Sequence, residues 1–184
     1  MQVKEIKSKK IILLFLAVFI SFGISILAYS VYADDPEYIT TTVTVTSAAP
    51  TFSVEPYEQD DDTLNPSSTV TPTNVGDSVI FHATGDDPDG EQYYLAVCKE
   101  NSITANNNGT PTCGGLGEWC VSTATNDETP TSCEYTAQNT DSEENIWYAF
   151  ICDHSASSQC SSSSQGSGES GSPFVVNRRP VFTT

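Results

Sequence analysis

Residues 74–90 read NVGDSVIFHATGDDPDG, and the alternation at their centre decides the fold class. Val79, Phe81 and Ala83 alternate with Ile80, His82 and Thr84. Successive side chains of a strand point to opposite faces, so the first set is expected to face a core. The turn Asp86-Asp87-Pro88-Asp89-Gly90 then ends the run, because Pro88 and Gly90 set turn geometry and the aspartates cap it.

The same grammar recurs on either side. Short β-type runs at 51–54, 77–84, 92–98, 118–122, 131–136, 146–152 and 173–177 are separated by Asp, Gly, Ser and Asn clusters, the spacing of an all-β sandwich. Residues 94–98 (YLAVC) and 148–152 (YAFIC) are apolar throughout, which suits central strands covered on both faces. No long apolar period of 3.6 residues is present, so helix content after Ala33 is expected to be near zero.

The N-terminus carries an address. Residues 1–10 hold four of the seven cationic side chains, Lys4, Lys7, Lys9 and Lys10, and residues 11–28 follow without a charge. Val31 and Ala33 then suit a signal-peptidase site, with cleavage after Ala33. The apolar run is also long enough for an uncleaved membrane anchor. Residues 1–33 are therefore a signal peptide or an N-terminal anchor, and both readings put the remainder outside the membrane. The Thr-rich residues 34–49 are expected to form a stalk, 50–177 the sandwich, and 178–184 a linker or the start of a following repeat. Pro50-Thr51-Phe52-Ser53 and Pro180-Val181-Phe182-Thr183 share a P-x-F-[S/T] pattern. Its second copy stands where a next repeat would begin, and chance similarity at a tail is the alternative. The serine- and glycine-rich residues 155–172 read as a flexible loop, stapled in its first part by Cys160 and slack beyond.

The chain has a formal net charge of −17, and from Asp34 onward 23 carboxylates face only Lys99, Arg178 and Arg179. A surface of that sign repels phosphate backbones and anionic lipid. Nucleic acid is excluded as a partner, and membrane contact is expected only through the N-terminal segment. Neighbouring repeats, or a cell-surface protein or glycan, are the expected partners.

Six cysteines, Cys98, Cys113, Cys120, Cys133, Cys152 and Cys160, lie in the exported part and read as up to three disulfides. No CxxC pair occurs and there are two histidines, His82 and His154, which is poor material for a zinc site. In a seven-stranded sandwich of the immunoglobulin kind, the third and sixth strands are antiparallel neighbours. Cys98 and Cys152 end those strands and so stand at opposite ends of the sheet, too far apart to bond. Local pairing, Cys98–Cys113, Cys120–Cys133 and Cys152–Cys160, is favoured, with Cys120–Cys133 read as a cross-link within a hairpin. Cys113–Cys120 with Cys98–Cys133 is the rival.

Three groups of residues bear on chemistry. Asp86, Asp87 and Asp89 offer hard oxygen ligands for calcium on a glycine-ended turn, and Glu58 with Asp60, Asp61 and Asp62 is expected in the preceding long loop, from which these acids could converge on the same end. A solvated turn is the alternative. Asp153-His154-Ser155 has the letters of a hydrolase triad, but adjacent residues do not converge on one proton path, and no catalytic residue is assigned. Tyr93, Tyr94, Trp119, Trp147 and Tyr148 are read as core, with an exposed platform for sugars or peptides as the rival. Asn108-Gly109-Thr110 is a glycosylation sequon and marks an exposed loop.

The stretch 74–90, with its V-G-x-x-V-x-F-x-A strand running into D-P-D-G, resembles the opening of immunoglobulin-like repeats of bacterial and archaeal surface proteins. These include the PKD, cadherin-like and fibronectin type III-like groups. Downstream, YYLAVCK, PTCGG, WCVS, WYAFICDH and SPFVVN look like a cysteine-bearing variety of such repeats. The resemblance implies a seven-stranded antiparallel immunoglobulin-like β-sandwich and a structural or adhesive module without an active site. Any calcium role it carries falls on Asp86, Asp87 and Asp89. The expected function is thus a non-catalytic, disulfide-stapled spacer of a cell-surface protein. A carbohydrate- or peptide-binding module using exposed aromatics is the alternative.

Overall fold

Val79, Phe81 and Ala83 are buried together in the structure, a computed structural model that describes residues 47–178. They lie on β3 (Ser78–Asp86), whose two edges pair antiparallel with β1 (Thr51–Asp60) and β8 (Thr131–Thr136). A second sheet sets β4 (Tyr93–Cys98) between β10 (Tyr148–Asp153) and β7 (Glu118–Val121). The inward side chains of both sheets form one core, which gathers Phe81 with Leu95, Val97, Ala149 and Ile151. Trp147 and Phe174 pack edge-on to Phe81 at centroid distances of 5.4 and 5.9 Å. Full burial of each such apolar side chain contributes about 1.5–3 kcal/mol.

Smaller ladders complete the fold. β2 (Thr73–Asn74) pairs parallel with β11 (Phe174–Asn177), which also pairs antiparallel with β9 (Glu144–Asn145). β5 (Ile103–Asn106) and β6 (Gly109–Cys113) form a hairpin. Among the described residues the chain is all-β, with no α-helix and a single 3-10 turn at Gly168–Ser170.

Three disulfides join Cys98 to Cys113, Cys120 to Cys133 and Cys152 to Cys160. In the β4–β10 ladder Cys98 stands opposite Tyr148 and Cys152 opposite Tyr94, so the two cysteines are at opposite ends. Disulfides of this density belong to an oxidising compartment. Cys120–Cys133 is not a hairpin cross-link. β7 belongs to the β4 sheet and β8 to the β3 sheet, so this bond ties the two sheets together across the core.

Four further expectations are corrected. β1 runs to Asp60 rather than stopping at Val54. Pro56 sits at a register shift between Val54 and Tyr57, and an edge strand tolerates the missing N–H there. Glu58 and Asp60 consequently lie on a strand. Thr51 is opposite Asp86, Glu58 opposite Phe81 and Asp60 opposite Val79, which puts Glu58 about 17 Å and Asp60 about 23 Å from Asp86 at strand rise. They do not converge on the D-P-D-G turn. Residues 155–172 are not slack: Ala149 and Ser164 exchange backbone hydrogen bonds of 2.7 and 2.9 Å, and Ser161 N donates to Ile151 O at 2.8 Å. This polar segment lines the free edge of β10. The last apolar run, β11, pairs with β2 and β9.

The signal or anchor, residues 34–46 of the stalk, and the second P-x-F-[S/T] copy lie outside the described residues. Among the described residues no helix is long and apolar enough to cross a membrane.

Candidate functional site

The D-P-D-G turn closes as its composition requires. Gly90 takes a φ of +69°, its N–H donates to Asp87 O at 2.9 Å, and Asp89 N donates to Asp87 Oδ1 at 2.8 Å. Asp87 N in turn donates to Asp127 Oδ1 at 2.7 Å, which anchors the turn to the loop before β8. The reversal leaves Glu91 two residues ahead of β4. Asp153 ends β10 and stands opposite Tyr93, the first residue of β4.

These three elements bring oxygens of Asp87, Glu91 and Asp153 within 4.8 Å of one another. Asp153 is fully buried and Asp87 is 3% exposed. Asp153 Oδ1 accepts Gln159 N at 2.7 Å, whereas Asp87 Oδ2 is buried without a hydrogen-bond partner. Ser47 Oγ lies 2.6 Å from Asp153 Oδ2, 3.3 Å from Glu91 Oε2 and 3.5 Å from Asp89 Oδ2. A hydroxyl has one proton to donate, so it can serve only one of them at a time. Ala48 N donates to Asp89 Oδ2 at 2.7 Å.

The electrostatics are unfavourable as they stand. Two ionised oxygens at this separation repel by about 3 kcal/mol at an effective dielectric near 20. Burial pushes the Asp87 carboxyl above its ordinary range, the charges of Asp153 and Glu91 push the same way, and the backbone N–H groups of Asp89 and Glu91 oppose them. The two described lysine and arginine residues are engaged elsewhere. Lys99 lies over the Trp119 ring, beyond the far end of β4, and Arg178 donates to Asn139 O.

Of the three residues expected as calcium ligands, Asp87 alone belongs to this group. Asp86 is exposed opposite Thr51, and Asp89 is exposed at the rim beside Ser47. Glu91 was not anticipated, and Asp153 was read only as a letter of the triad pattern, not as a ligand. The antiparallel pairing of the third and sixth runs held the signal, because it places the residue after Cys152 beside the start of β4.

The other candidates fall into the framework. His154 N donates to Gln92 O at 2.6 Å and its ring meets Tyr94 edge-on. Asp141 accepts Tyr135 Oη at 2.9 Å and Gln138 N at 2.7 Å, closing the turn after β8. Tyr93, Tyr94 and Trp147 are buried. Trp119 and Tyr148 are half-buried, Trp119 being packed on Tyr135 and Phe174. Tyr57, stacked on His82 at 5.0 Å, is the one aromatic exposed beyond a third among the described residues. An open groove of about 390 Å³ beside Trp119 is lined by Lys99, Leu116, Asp141, Glu144 and Ile146. Asn108 is exposed at the tip of the β5–β6 hairpin.

No protein-family model, curated protein or solved structure matches the chain.

Proposed function

We propose that the chain is an exported, non-catalytic spacer or adhesive module of a cell surface, built as an immunoglobulin-like β-sandwich. The observation that carries this reading is the placement of the disulfides. Cys120–Cys133 locks sheet to sheet. Cys98–Cys113 ties the β5–β6 hairpin to one end of β4, and Cys152–Cys160 ties the serine-rich edge to the end of β10. Each closure of this size stabilises by about 2–4 kcal/mol, so the bonds resist separation of the sheets and fraying at both ends.

Strand order supports the sandwich class. The sheets β1-β3-β8 and β10-β4-β7 correspond to the A-B-E and F-C-C′ arrangements of that fold. Ring burial supports a spacer over a binding module, since a platform needs ring faces presented together. A uniformly acidic surface keeps neighbouring modules soluble and apart.

The test pairs antibody labelling of intact cells with glycan and peptide arrays probed by the purified chain. Surface labelling without saturable array binding is expected. A saturable sugar or peptide ligand displaced by Trp119→Ala would overturn the spacer reading in favour of a binding module.

A further inference from the structure

We propose that Asp87, Glu91 and Asp153 form a calcium site at the point where the chain comes into the domain. The inference stands on geometry and does not depend on the spacer reading. Three carboxylates from three separate elements present oxygens within 4.8 Å of one another. Oxygens on opposite sides of one calcium ion are about 4.6–5.2 Å apart, twice the usual metal–oxygen distance. Independently, Asp87 Oδ2 belongs to a side chain only 3% exposed and has no hydrogen-bond partner. Buried polar atoms are almost always partnered, and an orphaned carboxylate oxygen beside two more carboxylates fits a metal ligand.

The donor set selects the ion. Every candidate ligand is a hard oxygen, and all six cysteines are taken up in disulfides, which disfavours zinc. The carboxylates come from a turn, a pre-strand residue and a strand end. Such an irregular set suits calcium, with its flexible coordination by six to eight oxygens, better than magnesium, which demands a near-ideal octahedron. Ser47 and Asp89 stand at the rim, where Ser47 Oγ reaches Asp153 Oδ2 at 2.6 Å and Ala48 N reaches Asp89 Oδ2 at 2.7 Å. An ion held there offsets most of the charge that the D-P-D-G turn, Glu91 and the end of β10 bring together. It also fastens residues 47–48 to the domain.

The test is thermal unfolding and calorimetric titration of the oxidised full chain in EDTA, in 5 mM CaCl2 and in 5 mM MgCl2, at constant ionic strength. Extracellular calcium sites bind at about 0.1–1 mM, so calcium is expected to raise the midpoint by about 3–10 °C with one ion per chain, and magnesium by much less. Glu91→Gln should lose most of the calcium shift while raising the EDTA midpoint, because it removes a ligand and, with it, one of three carboxylates that repel one another within 4.8 Å. Glu143→Gln, an exposed acid, is the charge-matched control and should keep the full shift. An unchanged midpoint in calcium would overturn the proposal, as would equal shifts in the two variants or an equal response to magnesium. None of these outcomes touches the disulfide framework, so the two readings fail separately.

Discussion

Replacing Glu58 by glutamine should change how stability depends on pH. Glu58 lies on β1 and is fully buried, and its two oxygens accept the Ser67 N–H at 2.9 and 3.1 Å. Ser67 Oγ in turn donates to Val175 O at 2.6 Å and accepts from Thr73 Oγ1 at 2.9 Å, so the carboxyl organises the junction of β2 and β11. Burial raises its pKa from 4.5 to about 7, against the lowering effect of the Ser67 N–H and with a further push from Asp60. Between those two values the folded chain holds a proton that the unfolded chain has released. Stability from this group therefore falls as pH rises through the window, by about 3 kcal/mol in all. Glutamine keeps an acceptor for Ser67 and has no charge to bury. The stability of Glu58→Gln relative to the natural chain should thus climb by about 3 kcal/mol from pH 4.5 to pH 8, on top of a pH-independent offset. Guanidinium unfolding of both oxidised proteins at pH 4.5, 6, 7 and 8 measures this difference and cancels the other acids. A difference that stays flat across the series would refute the assignment of a buried, proton-holding Glu58.

Further outcomes follow from the packing. Cys120→Ser should cost about 2–4 kcal/mol in oxidised protein and much less after full reduction, read by denaturant unfolding in both states. Equal losses would mean that the sheets are not bonded. Gly85→Ala should cost about 1–3 kcal/mol by overpacking, because an added Cβ would come within 2.8 Å of Ile151 Cγ2 and 3.1 Å of the Tyr93 ring; thermal unfolding checks it. Tyr135→Phe removes the hydroxyl that donates to Asp141 at 2.9 Å. A loss of about 1–3 kcal/mol is expected at neutral pH, measured by denaturant unfolding.

Strand β3 was legible because one face is buried and the other is not, and the alternation of Val79, Phe81 and Ala83 records that asymmetry directly. β4 and β10 were legible for a different reason, being apolar on both faces, and β8 matches its expected range of 131–136. The missed pieces share one cause. Residues 55–60 and 161–164 join sheets by backbone hydrogen bonds at an edge, and edge pairing leaves no apolar pattern in the side chains. The β5–β6 turn is made by Asn107-Asn108, with Asn108 at a φ of +52° that asparagine tolerates, and the polar composition around it hid the two short strands. The candidate site was half legible. The D-P-D-G turn marked Asp87, but Asp153 is 66 positions later and reaches it only through the register of β4 with β10.

Peptide mapping of the unreduced protein by mass spectrometry tests the framework most directly. The account predicts three linked peptide pairs, Cys98 with Cys113, Cys120 with Cys133 and Cys152 with Cys160. Cys113 bonded to Cys120 together with Cys98 bonded to Cys133, or free thiols at these positions, would contradict it.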